Sequence, residues 1–312
     1  METLQVILIP MSNTGNTEKQ KSATVAIIGR PSAGKSTFLN TVCGGKVSIV
    51  SPVPQTTRNT VRGIVNASMG QLVFIDTPGY HESEKKMNKK LQDLAVNQLA
   101  EADLILYLLD SSRIPGSEEE LIVSILLPYT EKLVCGINKT DIKGSFSGVC
   151  RVFLTEKLKN LNNGRIFDIS AKNDTNIDPL LIELFKMAPE GEALYPPEYF
   201  TDQEVSFRIS EIIREKAINL TRDEIPHCLF VEIQDMEMKK NGKELWVRGF
   251  LCVERESQKG IVIGKGASVI KKIKEEALKE LNSIFPYRVN LDLQVRVNKN
   301  WRQNDTILNK LI

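Results

Sequence analysis

The sequence predicts two domains: an α/β domain with a doubly wound, mostly parallel sheet, followed by a smaller α+β domain. Two observations lead to this fold class. Strand-like and helix-like segments alternate from Ala23 to about Ala188, which is the pattern of a parallel sheet with helices on both faces. After a proline-containing segment at 189–204, the order becomes helix, strand, strand, helix, strand. At 312 residues the chain has room for about two domains.

The elements of the first domain are predicted from short apolar runs and from apolar residues at helical spacing. We expect strands at 23–28, 60–65, 71–75, 104–109, 132–137 and 165–169. The second and third of these form a hairpin around Gly70. Helices are expected after Ser36 and over 87–99, 121–127 and 177–187.

The second domain is predicted to begin with an amphipathic helix at 205–220. Further elements are expected as strands at 229–233 and 245–254, a helix at 267–283 and a strand at 288–297. The domain division is therefore a flexible tail at 1–22, a first domain at 23–188, a linker at 189–204 and a second domain at 205–312.

The composition is that of an ordinary soluble globular protein, with 41% hydrophobic residues, 26% charged residues and a net charge of +2. The five cysteines contain no C-x-x-C pair, which favours free thiols in a reducing compartment such as the cytoplasm. His81 and His227 are the only histidines, so a histidine-rich metal cluster is excluded. No apolar run approaches the ~20 residues that cross a bilayer.

The stretch 29–36 fits the phosphate-binding loop pattern, a glycine, four residues and then Gly-Lys-Ser. It follows an apolar strand and precedes a helix, so backbone N–H groups and the helix dipole favour an anion there. Lys35 would reach the β- and γ-phosphates, and the Ser36 hydroxyl would ligate Mg²⁺. The competing interpretation is a chance glycine-rich turn. The residues predicted to bind nucleotide here are Gly29, Arg30, Pro31, Ser32, Ala33, Gly34, Lys35, Ser36 and Thr37.

A second motif, Asp76-Thr77-Pro78-Gly79, follows the third predicted strand. Asp76 can hold Mg²⁺ through a water, while the Gly79 N–H reaches the γ-phosphate. Thr56 or Thr57, in the preceding loop, can supply a second Mg²⁺ ligand, and we assign Thr57. Taken singly, Asp76 or Thr57 fits an ordinary turn or cap residue better than a ligand of Mg²⁺.

The base-reading residues are predicted in Asn138-Lys139-Thr140-Asp141, at the end of a core strand. A carboxylate at Asp141 accepts two hydrogen bonds from the N1–H and N2–H₂ edge of guanine. Adenine lacks those donors, so this segment argues against an ATPase or a kinase. Ser170-Ala171-Lys172, after the last strand, can present a backbone N–H to guanine O6. The sequence therefore predicts GTP and GDP as ligands.

The stretch around Gly264 resembles the loop of KH domains, in which a GXXG segment clamps the backbone of four nucleotides. Residues 257–302 carry ten Lys or Arg and four Asp or Glu. A solvated helix face is the alternative explanation of this charge. The predicted RNA-binding residues are Arg255, Lys259, Ile263, Gly264, Lys265, Gly266, Ala267, Ser268, Lys271 and Lys272.

Several motifs together resemble the Era family of translation-factor-like GTPases. They are Gln55–Arg58, Asp76–Tyr80, Tyr199–Asp202 before Glu211–Lys216, Val253–Lys259 and Lys299–Trp301. The resemblance covers Ala23 to the C-terminus. It implies an α/β P-loop GTPase domain followed by an α+β KH domain of type II.

The resemblance also implies an activity and a partner. The activity is hydrolysis of GTP to GDP and phosphate, with Lys35, Thr57 and Gly79 as the catalytic residues. The partner is the 3′ region of 16S ribosomal RNA in the small (30S) subunit, whose maturation a monomeric, cytoplasmic protein would assist. The alternatives are an RNA-binding chaperone with incidental GTPase activity, and a signalling GTPase associated peripherally with the inner face of the cell membrane.

Three positions depart from expected patterns. Tyr80 follows Gly79 where Ras-like enzymes place a water-orienting glutamine, so we expect slow intrinsic hydrolysis. Ser32 stands where Era relatives usually carry asparagine, which leaves stimulation by K⁺ open. Ala267 occupies the fourth position of the GXXG loop, where a methyl group is tolerated if φ is negative.

Overall fold

The computed structural model describes residues 20–51, 61–76, 96–304 and 307. These divide into two compact units, the first comprising 20–48, 61–76 and 96–202, and the second comprising 49–51, 203–304 and 307. Most of the predicted tail, the loop at 52–60 and most of the predicted helix at 87–99 lie outside the described residues; residues 96–101 are helical.

The first unit is built on a six-stranded sheet in the order β2-β3-β1-β4-β5-β6. All neighbouring strands are parallel except β2, which pairs antiparallel with β3. The strands are β1 (Lys21–Ile28), β2 (Val61–Ala67), β3 (Gly70–Asp76), β4 (Leu104–Asp110), β5 (Leu133–Asn138) and β6 (Ile166–Asp168). The helices are α1 (Lys35–Val42), α2 (Ser117–Leu126), α3 (Ser147–Lys157) and α4 (Ile177–Met187).

This architecture confirms the predicted α/β class. The central strands β3, β4 and β5 are buried along their whole length, which explains their continuous apolar sequences. The carboxyl ends of parallel strands meet at one edge of a sheet, where such folds bind ligands. The residues that follow β1, β5 and β6 therefore gather at a single edge, together with the last residue of β3.

Helix α3 was not predicted. Its buried residues, Cys150 and Leu154, are four positions apart and face the core, so the helical spacing was present in the sequence. Helix α2 begins at Ser117 rather than Leu121, because the Gly116 N–H donates to Glu119 Oε2 at 2.8 Å and stabilises an earlier first turn.

The segment predicted as a linker lies along the first unit as far as Asp202. Ser22 N donates to the Pro189 carbonyl oxygen at 3.0 Å. Gln71, fully buried, accepts from Tyr195 N at 3.0 Å and donates to Tyr195 O at 2.8 Å. Ile64 N on β2 donates to Phe200 O at 2.9 Å. Residues 189–202 therefore pack on β1, β2 and β3, and the division between the units falls after Asp202.

The second unit contains α5 (Val205–Leu220), β7 (Phe230–Lys239), β8 (Glu244–Val253), α6 (Glu256–Ile263), α7 (Ser268–Ile284) and β9 (Arg288–Val297). Its sheet has the order β7-β8-β9, with β7 antiparallel and β9 parallel to β8. The α+β class is confirmed, whereas α6 was not predicted.

Apolar residues of α5, α7 and all three strands form one core in this unit. Ile49, which precedes the loop at 52–60, is 4% exposed within that core. Trp301 is fully buried against Phe230 and donates from Nε1 to the Cys228 carbonyl oxygen at 2.8 Å. Within the described ranges, no helix is long and apolar enough to cross a membrane.

Candidate functional site

The phosphate loop lies between the end of β1 and the start of α1, at the carboxyl edge of the sheet. Both glycines of the loop are required by their neighbours. A Cβ at Gly29 would lie 2.5 Å from the Leu108 carbonyl oxygen, and one at Gly34 would lie 2.3 Å from Asn138 Nδ2. Gly34 also has φ +95°, and Ser32 adopts φ +64° without being glycine. The loop is therefore pressed closely against β4 and β5.

Lys35 is buried at the first turn of α1. Its Nζ donates to the carbonyl oxygens of Gly29 at 3.0 Å and Arg30 at 3.2 Å. Burial lowers the pKa of Lys35 to about 8, although the nearby carboxylate of Asp76 opposes that shift. The ammonium is thus held inside the loop's own curve, where a phosphate would meet it.

Asp76, at the end of β3, is fully buried and binds two hydroxyl groups. Its Oδ2 accepts from Ser36 Oγ at 2.8 Å and from Ser48 Oγ at 2.9 Å. Ser48 is in turn held by Asn40 on α1, whose Oδ1 accepts from Ser48 N at 2.8 Å. Ser48 lies in no recognised motif, so its contact with Asp76 was not predicted.

Ser36 and Asp76 supply a hydroxyl and a carboxylate oxygen, which are hard donors suited to Mg²⁺. The described part of the chain contains no group of three or more His, Cys, Asp or Glu arranged to hold a metal by themselves. A hydroxyl and a carboxylate fit Mg²⁺, which keeps waters and shares its coordination with substrate phosphates. Thr56, Thr57, Thr77, Pro78, Gly79 and Tyr80 lie outside the described residues.

Asn138 joins the phosphate loop to the base-reading segments. Its Nδ2 donates to the Ala33 carbonyl oxygen at 2.9 Å, and its Oδ1 accepts from Ala171 N at 2.9 Å. Asp141 Oδ1 accepts from Ser170 Oγ at 2.7 Å, and the Asp141 side chain is exposed at the edge of the sheet. The structure therefore brings 29–37, 138–141 and 170–172 together.

The Arg30 side chain contacts two carboxylates. Its Nη2 donates to Asp110 Oδ2 at 2.5 Å, and its Nε lies 2.9 Å from Glu119 Oε1. Both carboxylates are buried. The guanidinium of this predicted nucleotide-binding residue thus binds carboxylates on β4 and α2, and neither partner lies in a recognised motif.

In the second unit, the predicted RNA loop connects α6 to α7. Gly264 has φ +75°, and a Cβ there would lie 2.6 Å from Val269 Cγ2. Ala267 adopts φ +61°. The negative φ under which a methyl group is tolerated is therefore not found at this position: the alanine takes a left-handed conformation that favours glycine.

The predicted basic residues surround this loop. Arg255, Lys265, Lys271 and Lys272 are exposed, as is Ser268 at the start of the 17-residue helix α7, while Lys259 and Ile263 are half-buried. The N-terminus of α7 adds a partial positive charge beside the loop. The loop thus carries an exposed lysine and leads into a helix N-terminus followed by two exposed lysines, which suits a phosphate backbone.

Models of known protein families match residues in both units of the chain. A model described as a 50S ribosome-binding GTPase matches residues 24–139, and a KH domain model matches 224–302. The GTPase Era of Treponema denticola is 59% identical over 290 residues, covering 93% of this chain and 99% of that protein. The chain is a member of the Era family of GTPases.

Other members of the Era family agree with this assignment. The GTPase Era of Borreliella burgdorferi is 44% identical over 292 residues, covering 94% of this chain and 99% of the relative. A variant of Aquifex aeolicus Era bound to GDP·AlF₄⁻ is a solved structure with 34% identity and a TM-score of 0.88, and the similarity covers 94% of this chain and 99% of that one.

A second solved structure is Era in complex with MgGDPNP and nucleotides 1506–1542 of 16S ribosomal RNA. It is 34% identical to this chain, with a TM-score of 0.88. The similarity covers 94% of this chain and 98% of the chain in that structure. The predicted resemblance to Era GTPases is thereby confirmed, as is the prediction that the chain is a GTPase.

Proposed function

We propose that this chain is a GTPase switch that binds GTP or GDP at the 29–37 loop and binds the 3′ region of small-subunit ribosomal RNA through its second unit. The observation that carries the nucleotide part is the Asn138 bridge, which sets the phosphate loop and the base-reading segments at one sheet edge. The Era structure with MgGDPNP and 16S ribosomal RNA nucleotides supports both parts. The cellular role proposed is maturation of the 30S subunit.

Each nucleotide-site residue has a role that follows from its position. Lys35 places an ammonium inside the phosphate loop, and Asp141 offers an exposed carboxylate to the guanine edge. Ser36 and Asp76 would hold Mg²⁺, which neutralises phosphate charge when it is bound. Thr57 and Gly79 remain proposed catalytic residues.

Asp141→Asn tests the base assignment. The amide cannot accept both guanine donors, so affinity for GDP should fall, while xanthosine diphosphate, with a carbonyl at C2, should bind better than it does to the native chain. Asp174→Asn is the matched control, because Asp174 is a nearby exposed aspartate in a conformation that asparagine adopts readily. Unchanged GDP affinity in Asp141→Asn would refute the assignment.

Filter binding tests the RNA part of the proposal. A labelled oligonucleotide with the 3′-terminal sequence of small-subunit RNA is titrated with the chain in the presence of GTP, GDP or no nucleotide. A switch requires affinities that differ among the three states. Equal affinities, together with GTP turnover that RNA and 30S subunits leave unchanged, would favour an RNA chaperone with incidental GTPase activity.

Two further proposals concern the setting in which the chain works. All five cysteines are free thiols, which supports a reducing compartment, and we propose the cytoplasm. We also propose a monomer, which light scattering would check. Co-sedimentation with anionic lipid vesicles would instead support the alternative of peripheral membrane association.

A further inference from the structure

Asp110, the last residue of β4, binds cations from two different loops of the nucleotide site. Its Oδ2 accepts from Arg30 Nη2 at 2.5 Å and from Lys139 Nζ at 2.8 Å. Its Oδ1 accepts from Ser112 N at 2.9 Å and from Ser112 Oγ at 2.6 Å. One buried carboxylate thus connects the second residue of the phosphate loop to the second residue of the base-reading segment.

The charge at Asp110 is stabilised where it lies. Burial by itself would raise the pKa of this carboxyl group, but hydrogen bonds from Lys139 and Ser112 and the charge of Lys139 hold the pKa below its usual value. Lys139 also adopts φ +68°, which is strained for a residue other than glycine. The ion pair with Asp110 therefore anchors a residue whose backbone needs support.

Glu119, on α2, offers an internal comparison. Like Asp110, it is a buried carboxylate paired with Arg30, at 2.9 Å from Nε. Its other partners are Arg113 and the Gly116 N–H. Among the described residues it forms no ion pair with Lys139. The two carboxylates thus share Arg30, and Asp110 alone of the two also holds the base-reading segment.

We propose that Asp110 is a positioning residue that sets the phosphate loop through Arg30 and the base-reading segment through Lys139. The proposal rests on the nucleotide site described above. Asp110 acts through its two partners, and loss of its charge releases both loops at once. Base recognition and phosphate recognition should therefore weaken together.

Asp110→Asn removes the charge with little change in shape. The Kd values of GDP, GMP and inosine diphosphate are measured for the native chain and the variant. The GDP/GMP ratio reports recognition of the β-phosphate, and the GDP/inosine diphosphate ratio reports recognition of the 2-amino group. We expect GDP affinity to fall about tenfold, as for a lost hydrogen bond to a charged group, and both ratios to move toward one.

The two ratios separate positioning from a general loss of stability. An unfolded fraction weakens all three ligands by the same factor and leaves both ratios unchanged. Glu119→Gln is the matched control: it disturbs Arg30 and not Lys139, so it should move the GDP/GMP ratio toward one and leave the GDP/inosine diphosphate ratio unchanged. If Asp110→Asn moves neither ratio, or moves only one, the proposal is overturned. Failure of the native chain to bind GDP would instead refute the proposed function.

Discussion

The Asn138 side chain donates from Nδ2 to the carbonyl oxygen of Ala33, 105 positions earlier in the chain, at 2.9 Å. The neighbouring Gly34 lies so close that a Cβ there would be 2.3 Å from the same nitrogen. With Ala171 N bound to Asn138 Oδ1, one buried amide side chain connects three segments of the site. Its two ends satisfy backbone groups that would otherwise be buried without partners.

Asn138→Ala should therefore destabilise the first unit and weaken GDP binding. It leaves the Ala33 carbonyl and the Ala171 N–H without this partner, at about 1–3 kcal/mol each. Urea unfolding with and without GDP measures both effects. Asn162→Ala, which removes an exposed asparagine bound to Gly164 N, is the control and should cost less than about 1 kcal/mol. Equal losses in the free energy of unfolding of the two variants would show that the Asn138 side chain stabilises the first unit no more than an exposed asparagine does.

Lys35 should give nucleotide affinity and stability opposite dependences on pH. Its pKa in the folded chain is about 8, below the ordinary value of 10.5. Between these values the unfolded chain binds more protons at this group, so its contribution makes the nucleotide-free protein more stable as pH rises. GDP affinity should fall over the same range, because the ammonium that meets the phosphates is lost.

Titration of fluorescent GDP from pH 7 to 9.5, beside urea unfolding of the nucleotide-free protein, checks this prediction. Lys35→Gln is the control, since any fall in its affinity toward pH 9.5 reports deprotonation of guanine N1 and not of Lys35. GDP affinity of the native chain that falls no more steeply with pH than that of Lys35→Gln would contradict a lowered pKa.

Ala267→Gly should stabilise the second unit. Ala267 has φ +61°, and a left-handed conformation costs a residue with a Cβ roughly 1–2 kcal/mol. Glycine removes that strain but loses more chain entropy on folding, so the net gain should be about 1 kcal/mol or less. Hydrogen exchange of the full chain, read at α6 and α7, measures the change.

Ala277→Gly is the comparison variant, and it should destabilise the second unit. This alanine is fully buried inside α7, where glycine costs about 1 kcal/mol or more. RNA affinity of Ala267→Gly should stay the same or improve. A loss of protection in Ala267→Gly would mean that the methyl group makes a favourable contact that outweighs its strain.

Lys265→Glu should weaken RNA binding and reduce its dependence on salt. Lys265 is exposed within the loop between α6 and α7. A lost phosphate contact lowers the slope of log affinity against log salt by about 0.7 for a single strand. Isothermal titration with the 3′-end oligonucleotide at several salt concentrations measures both quantities. Lys159→Glu, an exposed lysine of the first unit, is the control.

GTP turnover without RNA should be the same in Lys265→Glu as in the native chain. If the variant keeps native RNA affinity and salt slope, the loop is not the clamp. The RNA backbone would then lie along Lys271, Lys272 and Lys274 on α7.

Local pattern predicted most of the fold. The apolar runs behind β1, β4 and β5 and the helical spacing of α4 and α5 are signals carried by neighbouring residues, and these elements lie within two residues of their predicted bounds. Helix α6 was not predicted because Glu256–Ile263 has a weak apolar pattern, with Gln258 and Val262 as its buried residues. Its start depends on Gln258 Oε1, which accepts from Arg255 N at 3.0 Å.

The residues of the site likewise divide into those that a local motif predicts and those that only the folded chain brings together. Phosphate-loop and base-reading residues were found because each motif is a short string whose chemistry is fixed by its ligand. Ser48, Asp110 and Glu119 were missed because their partners are 28, 80 and 89 positions away in sequence. Such contacts arise only when the sheet brings strand ends together. The positive φ of Ala267 was likewise not predicted, because the conformation of the folded loop determines it.

The strip of chain at 194–202 also determines where the first unit can be cut. At the outer edge of β2, its Phe200 carbonyl oxygen accepts a hydrogen bond from Ile64 N. Its Leu194 and Tyr195 N–H groups donate to Oε1 of the buried Gln71. A fragment ending at Ala188 would lay bare an unpaired strand edge, which is a template for pairing with another copy. Such a fragment should self-associate through β2, whereas one ending at Asp202 keeps its edge covered.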